Sequence, residues 1–580
     1  MSNNLKNWQI KNKIPAEISD SFPKVNNVIL QLFYNRGLTD KKQIDDFLNP
    51  DFEKQLFDPF LFKDMEQALK RLFIAVEKRE RVLVYGDYDA DGVCSTGILY
   101  AALKGLGLEV ETYIPFRETE GYGLNTKIVQ QIIDQKFSLV FTVDCGVSNV
   151  AEITLLRDAG IDVIVLDHHD EPLELPPAYA LINPNIKSSG YPVSPLCGAG
   201  VVFKFLQAII IWQDKVDSSI KLPPGFEKWL LDLVAIATVG DIVPLIGENR
   251  VLVKFGLVVL GKTKNLGLKS LMATINNRSN GLDTEYVGWR LVPRLNAAGR
   301  INHASAAFYL LSAKTEDEAG KFADILEENN RIRQQMTDKI MLAAEEQLGE
   351  VTEDSKALIA VGDSWPAGVV GLVAGRLADK YHRPVLVFSR DREKFVASGR
   401  SIEEFDITAA LKECHDLLAR YGGHPQACGL TILGEENFNK FKEKFLGLAE
   451  KKLVSQDLRP VVEIEAEIKL SQISWDLIKE IKKFEPFGEG NPQPLFLAKG
   501  LNIEQIQTVG ADGKHLKVLV SKDNDLKNIH KLIGFSFGDW CVRLKAGDKI
   551  DIIFELGVNE WNGNKELQLK IVDLKLSNVK

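Results

Sequence analysis

Residues 81–92 read Arg-Val-Leu-Val-Tyr-Gly-Asp-Tyr-Asp-Ala-Asp-Gly: a short apolar run, Arg81 to Tyr85, breaks at Gly86 into aspartates at alternate positions, Asp87, Asp89 and Asp91. Valine and tyrosine in a run this short favour a strand over a helix. The arrangement recurs twice. Leu139 to Val143 runs into Asp144-Cys145-Gly146, and Val163 to Leu166 runs into Asp167-His168-His169. Amphipathic helical segments stand between these runs, and one around Ala68 to Val76 precedes the first. Strands alternating with helices imply an α/β fold with a parallel sheet and helical crossovers. In such sheets the carboxyl ends of the strands open on one crevice, so acids about 80 residues apart in sequence are expected to meet in space. Another acid, Asp241, follows the apolar segment Leu231 to Val239.

Outward from this nucleus the 580 residues divide into five parts, in keeping with roughly 100 to 200 residues per domain. Residues 1–65, mixed and helical in flavour, are expected to cap the domain after them. Residues 66–315, with the alternating strands and helices, are expected to form the first α/β domain. In 316–350, Phe322, Ile325, Leu326, Ile332, Met336 and Ile340 recur at near-helical spacing and predict a long, largely exposed connecting helix. Residues 351–450 read as a second α/β domain, with strand-like runs Lys356 to Val361 and Pro384 to Phe388 separated by a helix beginning near Gly371. From 451 to 580 the short runs Leu516 to Val520, Lys549 to Phe554 and Leu567 to Ile571 predict a small β-barrel.

Hydrophobic residues at 45% and charged residues at 26% exclude a disordered or fibrous chain. The most apolar stretch, Val201 to Trp212, is broken by Lys204 and is shorter than the roughly 18 uncharged residues of a membrane span. The polar start, MSNNLKNWQI, lacks a secretory pattern, and a cytoplasmic protein is expected. The six cysteines form no C-x-x-C pair and read as reduced thiols. A net charge of -9 excludes a surface uniformly built for polyanions, while leaving room for a local basic groove.

So many carboxylates at one crevice require cations to offset their repulsion. Carboxylate and imidazole without thiolate select manganese or magnesium, and the imidazole favours manganese. Two such ions about 4 Å apart, sharing a carboxylate, would activate water and stabilise charge on a phosphoryl oxygen, which is the chemistry of phosphoester hydrolysis. Other patterns fit less well. Asp87, Asp89, Asp91 and Gly92 match the opening of a calcium loop, but its twelfth position, which calls for glutamate, is Ile98. A lone Asp after a strand is often a helix cap and a lone His a core or surface residue, so the joint pattern carries the metal reading. Gly256 to Thr263 satisfies the P-loop expression, yet its interior, Leu257-Val258-Val259-Leu260, suits a buried helix ending at Gly261.

Several segments set arginine or histidine beside glycine, where the backbone can approach an oxyanion closely. They are Pro293 to Arg300, with Arg294, Asn296 and Arg300; Ala397 to Ser401, with Ser398 and Arg400; Arg420 to His424; and Glu120 to Leu124 with Arg117. Each alone would also serve as a structural turn with a solvated arginine.

In order along the chain, GDYDADG (86–92), EGYGL (120–124), TVDCG (142–146), DHH (167–169), VGDIVPL (239–245), PRLNAAGR (293–300), SGRS (398–401), RYGGHPQACG (420–429) and EPFGEGNPQPLF (485–496) resemble the DHH phosphoesterase superfamily, and within it the single-strand-specific exonucleases. The resemblance implies a DHH catalytic domain, a linker helix, a DHH-associated domain and an OB-fold. It implies Asp89, Asp91, Asp144, His168 and Asp241 as ligands of two Mn²⁺ or Mg²⁺ ions, with Asp87 binding them directly or from one layer behind. His169 is then at the scissile phosphate, oriented with its neighbours by Asp167. Arg300, Ser398 and Arg400 receive the 5′-terminal phosphate, and His424 contacts nucleic acid near the metals. The implied activity is 5′-to-3′ removal of mononucleotides from single-stranded DNA in recombination and repair, with a single-strand-binding protein and a helicase as candidate partners; a monomer is expected because each proposed site is complete within one chain. Two rivals stay open: a phosphodiesterase of short oligonucleotides or cyclic dinucleotides, which the residues beyond 450 oppose, and a non-catalytic scaffold, which the complete acid set opposes.

Overall fold

Five parallel strands form the first sheet: β1 (Arg81–Gly86), β2 (Glu109–Tyr113), β3 (Leu139–Val143), β4 (Asp162–Leu166) and β5 (Ala180–Ile182), in the order β2-β1-β3-β4-β5. This is a computed structural model that describes residues 6–117, 119–192, 195–216, 220–275, 281–522, 529–561 and 563–577. The central strands are buried along nearly their whole length, which is why they read as unbroken apolar runs instead of alternating ones.

Register then fixes what leaves the sheet. Gly86 pairs with Val143, Val143 with Leu166, and Leu166 with Ile182. The residues next in the chain, Asp87, Asp144, Asp167 and Asn183, emerge in a row at about 4.8 Å per strand. Strand order reverses between β1 and β3, the switch point at which open α/β sheets bind ligands. Helix α1 (Ala90–Gly105) leaves from the aspartate turn, and helices α2 (Gly198–Lys215), α3 (Leu231–Gly240) and α4 (Gly247–Leu260) pack beyond it.

The P-loop-like segment lies in α4 and the turn after it. A side chain at Gly256 would collide with the Leu231 carbonyl, so α4 rests directly on α3. Thr263 donates its hydroxyl to the buried carboxyl of Asp232 at 2.5 Å. The motif is a helix contact and holds no phosphate cradle.

A further helix, α5 (Val292–Ile301), leads to the connecting helix α6 (Glu316–Leu348). One face of α6 is buried through Ala319, Ala323, Leu326, Asn329, Asn330, Thr337, Ile340 and Ala344, so it is less exposed than its charged sequence suggests. The second sheet is mixed: β6 (Leu358–Asp363), β7 (Val385–Asp391), β8 (Lys394–Arg400), β9 (Arg420–His424) and β10 (Ala427–Leu433) lie in the order β9-β10-β8-β7-β6, with only β6 and β7 parallel. Helix α7 (Ala367–Tyr381), which begins four residues before the expected Gly371, packs Val369, Val370, Val373 and Leu377 beside Ile340 and Ala344 of α6. Helix α8 (Glu435–Leu453) packs Phe438, Phe441 and Phe445 with Phe388 and Phe395.

The chain forms two compact units, with 56–243 and 247–458 in one and 3–55, 244–246 and 459–580 in the other. The second holds strands β11 (Leu495–Val509), β12 (His515–Ser521), β13 (His530–Gly534), β14 (Lys549–Trp561) and β15 (Asn564–Leu576), joined β11-β12-β13-β15-β14 and closed by pairing of β14 with β11. That closure makes the five-stranded barrel of an OB-fold. Of the N-terminal segment expected to cap the catalytic domain, residues up to 55 are built into this unit instead, while 56–65 belong to the first. Strand Asn7–Ile10 pairs with Val461–Ile464, and Val28, Ile29, Leu32 and Phe33 join the barrel core, with Phe33 stacked on Phe484. An amphipathic helix needs an apolar cover, and nothing obliges that cover to be its neighbour in sequence.

Burial holds the Asp232 carboxyl at a pKa of about 6 against the lowering effect of its Thr263 hydrogen bond. A carboxyl raised in the folded state contributes its full stability below the unfolded pKa of about 4 and loses it as pH climbs through about 6, a cost of about 3 kcal/mol by pH 8. Urea unfolding is therefore expected to show Asp232→Asn more stable than the native chain at pH 8 and nearly equal to it at pH 4.5.

Candidate active site

Each acid in the crevice is placed by the backbone around it. Asp89 caps α1, accepting the amides of Asp91 at 2.9 Å and Gly92 at 3.1 Å. Asp91 accepts the amides of Gly198 at 2.6 Å and Ala199 at 2.7 Å, which places it at the positive end of α2. Asp144 follows β3 in the left-handed region, φ 58°, a strain that persists where the surroundings impose it. Its amide donates to the Leu166 carbonyl at 3.0 Å. Asp167 is wholly buried and accepts from the amides of Val147 and His168 and from His169 Nδ1 at 2.7 Å. Asp241 ends α3.

The imidazole of His168 stands among three of these carboxylates. Its Nε2 is 3.1 Å from Asp144 and 3.8 Å from both Asp91 and Asp241. Potential ligand atoms fall within 4.8 Å of one another in three groups: Asp144, His168 and His169; Asp91, His168 and Asp241; and Asp87, Asp89 and Asp144. Asp144 and His168 each belong to two groups, so neighbouring cation positions would share ligands.

The electrostatics fit a cation. Burial, and then mutual repulsion, push the Asp87 and Asp144 carboxyls far above the ordinary range. Asp91 is raised by burial and Asp89 despite the opposing pull of His168, and Asp241 rises to about 8 through burial, Asp91 and Asp89. Oδ1 of Asp87 is buried with no hydrogen-bond partner. A buried orphan oxygen among repelling acids, with an all-oxygen and imidazole donor set, suits Mn²⁺ or Mg²⁺. His169 is raised to about 9 by Asp167 despite burial, and carries a positive charge at neutral pH.

Beside the acids lies a cluster of cations. Burial lowers the Arg300 pKa, and the guanidiniums of Arg117, Arg333 and Arg400 lower it further, with Asp89 opposing. Arg300 donates to the Gly368 carbonyl in the first turn of α7 at 2.9 Å. Gly371, one turn on, faces Ser398 and Arg400: a side chain there would lie 3.3 Å from Ser398 Oγ and 3.9 Å from Arg400 Nη2. Arg117 stacks on Tyr88 at 4.8 Å. No carboxylate forms a salt bridge with Arg117, Arg300 or Arg400 among the described residues. Guanidiniums gathered around a helix N-terminus without acid partners are suited to a phosphate.

Other expected substrate groups stand elsewhere. Arg294 is clamped by Glu327 of α6, at 2.5 and 3.2 Å, and faces this partner instead of the crevice. Asn296 accepts the Ala90 amide at 2.7 Å and so anchors the aspartate turn. His424 is exposed on the edge strand β9.

Three matches with protein-family models follow the same architecture: the DHH family N-terminal domain over 81–238, the DHHA1 domain over 354–451 and the RecJ OB domain over 464–573. The single-stranded-DNA-specific exonuclease RecJ of Bacillus subtilis is 35% identical over 555 residues, covering 95% of this chain and 68% of that protein. RecJ of Haemophilus influenzae is 31% identical, covering 94% and 96%. The chain belongs to the RecJ family. A crystal structure of RecJ in complex with Mn²⁺ from Thermus thermophilus matches with a TM-score of 0.84 at 28% identity, covering 100% of this chain and 81% of that one. Its counterpart in complex with Mg²⁺ gives 0.76 at 26%, covering 99% and 79%.

In this RecJ-family chain the structure adds groups that the sequence pattern did not single out. Tyr122, in the EGYGL segment, brings its hydroxyl to 3.0 Å from His169 Nδ1 and 3.3 Å from the Asp144 carbonyl. Asn183 and Asn185 donate to the main-chain oxygens of His169 and His168. The signal for them was present, because Asn183-Pro184-Asn185 follows a strand end as the acids do.

Metal ligation needs these carboxyls deprotonated. Calorimetry is expected to show Mn²⁺ binding release protons, with an affinity that climbs as pH rises from about 6.5 through about 8, where Asp241 ionises. Asp241→Asn is expected to bind more weakly, with a shallower pH dependence.

Proposed function

We propose that this chain is a metal-dependent exonuclease that hydrolyses single-stranded DNA from its 5′ end to 5′-mononucleotides, in recombination and repair. The observation that carries the reading is the juxtaposition, within one compact unit, of the acid and histidine crevice with a cluster of arginines that, among the described residues, forms no carboxylate salt bridge. A site of both kinds suits a phosphodiester near a terminal phosphate.

In this reading Asp87, Asp89, Asp91, Asp144, His168 and Asp241 hold two divalent ions. Bound there, Mn²⁺ or Mg²⁺ supplies a lowered pKa for a water nucleophile and neutralises charge on the phosphate. The protein's own groups do the rest. Asp167 fixes the His169 ring through Nδ1 and keeps it protonated, so that it presents positive charge to a non-bridging oxygen of the scissile phosphate. Asn183 and Asn185 hold the histidine backbone in place. Arg300 of α5 and Ser398 and Arg400 of β8, beside the first turns of α7, receive the 5′-phosphate, which sets the polarity and the one-nucleotide step. Asn296 works indirectly, by fixing the aspartate turn, and Arg294 by clamping α5 to α6.

Residues 66–315 and 351–450 then act as the catalytic and DHH-associated domains joined by 316–350, and 451–580 as a strand-binding OB-fold that grips the backbone without reading sequence. No helix among the described residues is long and apolar enough to cross a membrane. We take the working form to be a cytoplasmic monomer that meets a single-strand-binding protein and a helicase, since every proposed catalytic group lies in one chain.

The test uses purified protein, Mn²⁺ and long single strands with 5′-phosphate, 5′-hydroxyl or blocked 5′ ends. Mononucleotide release from accessible 5′ ends, lost in EDTA and in Asp144→Ala, is expected. Cleavage of dinucleotides with long strands left intact would transfer the assignment to a small-substrate phosphodiesterase. Arg400→Ala is expected to raise KM for 5′-phosphorylated strands by about tenfold or more, the scale of one charged hydrogen bond, with a smaller change for 5′-hydroxyl strands.

A further inference from the structure

Trp289 is the most exposed aromatic side chain among the described residues, at 78%. It stands in a π-helical turn, Val287–Leu291, that runs directly into α5. Turns of this kind are rare overall and are frequent at functional sites. The next residue, Arg290, is also exposed, and it forms no salt bridge among the described residues.

The surroundings tie this turn to the crevice. A side chain at Gly288 would lie 3.5 Å from Val239, two residues before Asp241. One at Gly240 would lie 3.1 Å from Val292 and 3.6 Å from Ala90. The turn therefore packs on the end of α3 that delivers Asp241, and α3 in turn touches the start of α1. Residues 293, 296 and 300 fall along one face of α5 at turn spacing, and Trp289 stands about one turn before Pro293 in the π-helical turn that leads into it. On that face Asn296 holds the Ala90 amide and Arg300 stands in the arginine cluster. From Arg300 back to Trp289 is eleven residues, roughly 16 Å of helix, or about five stacked nucleotides at 3.4 Å each.

We propose that Trp289, with Arg290 beside it, is the stacking platform for the bases on the 3′ side of the scissile phosphate. The proposal rests on the exonuclease reading above. With the 5′-phosphate at Arg300 and the scissile phosphate at the aspartate turn, a strand that continues along the same helix face reaches Trp289. An indole stacks on any base, and the neighbouring guanidinium attracts the phosphate between two bases, a pairing that holds single strands without selecting sequence. A mononucleotide or dinucleotide is too short to reach it. The platform thus favours long strands over short ones, a preference exerted at the catalytic unit itself.

The experiment compares native protein, Trp289→Ala and Trp289→Phe on 5′-phosphorylated single strands that are intact or carry one abasic site walked through nucleotides 2 to 6, and on a dinucleotide. For the native protein and Trp289→Phe, an abasic site at one position is expected to raise KM at least about fivefold, the low end of the stacking range. For Trp289→Ala, KM on the intact strand rises by a similar factor, the same abasic site has no added effect, and dinucleotide turnover and Mn²⁺ affinity are unchanged. An unchanged KM in Trp289→Ala, or abasic sensitivity that persists in it, overturns the platform while leaving the exonuclease reading intact. Loss on the dinucleotide equal to that on the strand also overturns it, since the residue would then act on the fold. A native protein that degrades no single strand overturns the exonuclease reading, and the platform with it.

Discussion

The repulsion among buried carboxylates at the end of one parallel sheet is the constraint around which the molecule is arranged. Because β1, β3, β4 and β5 end in register, the chain has no choice but to deliver Asp87, Asp144, Asp167 and Asn183 side by side. A sheet whose strands end level in Asp would be costly to fold unless something offset the charge. The protein offsets part of it locally. Asp167 is answered by His169, Asp91 by the N-terminus of α2, and Asp89 by the amides of α1. Asp87 and Asp144 have weaker answers, the charges of Arg117 and His169 for the first and the imidazole of His168 for the second, and burial and neighbouring acids still hold both carboxyls well above their ordinary range. What remains uncompensated is the negative charge that a divalent pair would neutralise.

The opposite problem is set beside it. Arginines 117, 300 and 400 gather near the first turn of α7 with no carboxylate salt bridge among the described residues, although the chain as a whole carries a net charge of -9. Unmatched acids and unmatched guanidiniums in one unit make a site that is incomplete without cations on one side and an anion on the other. A phosphate chain in the company of metal ions supplies both. Global charge told nothing of this, because what matters is which charges lack partners, and that is a property of the folded arrangement.

The sequence made the acids and the fold class legible because strand ends announce themselves: an apolar run of about five residues breaking into Asp has few alternative structures. It also exposed the false P-loop, whose four apolar residues could not be a flexible loop. It was less informative wherever the decisive fact was a partner far along the chain. Arg294 and Arg300 sit in one motif and look alike, yet Glu327, 33 residues beyond Arg294, claims the first, while among the described residues the second has only the Gly368 carbonyl and no carboxylate salt bridge. The N-terminal helices show an apolar face but not what covers it, and the cover begins more than 400 residues later. Asn183 and Asn185 carry no charge that would mark them in the sequence, though their place at a strand end follows the same rule as the acids.

The most direct test of this account is a titration of the protein with Mn²⁺ followed by electron paramagnetic resonance. The overlapping ligand groups that share Asp144 and His168 predict two ions bound per chain close enough for their spins to couple, with the coupled signal lost in Asp144→Ala. One ion per chain with an isolated six-line spectrum, or two ions whose signal survives that substitution, would contradict it.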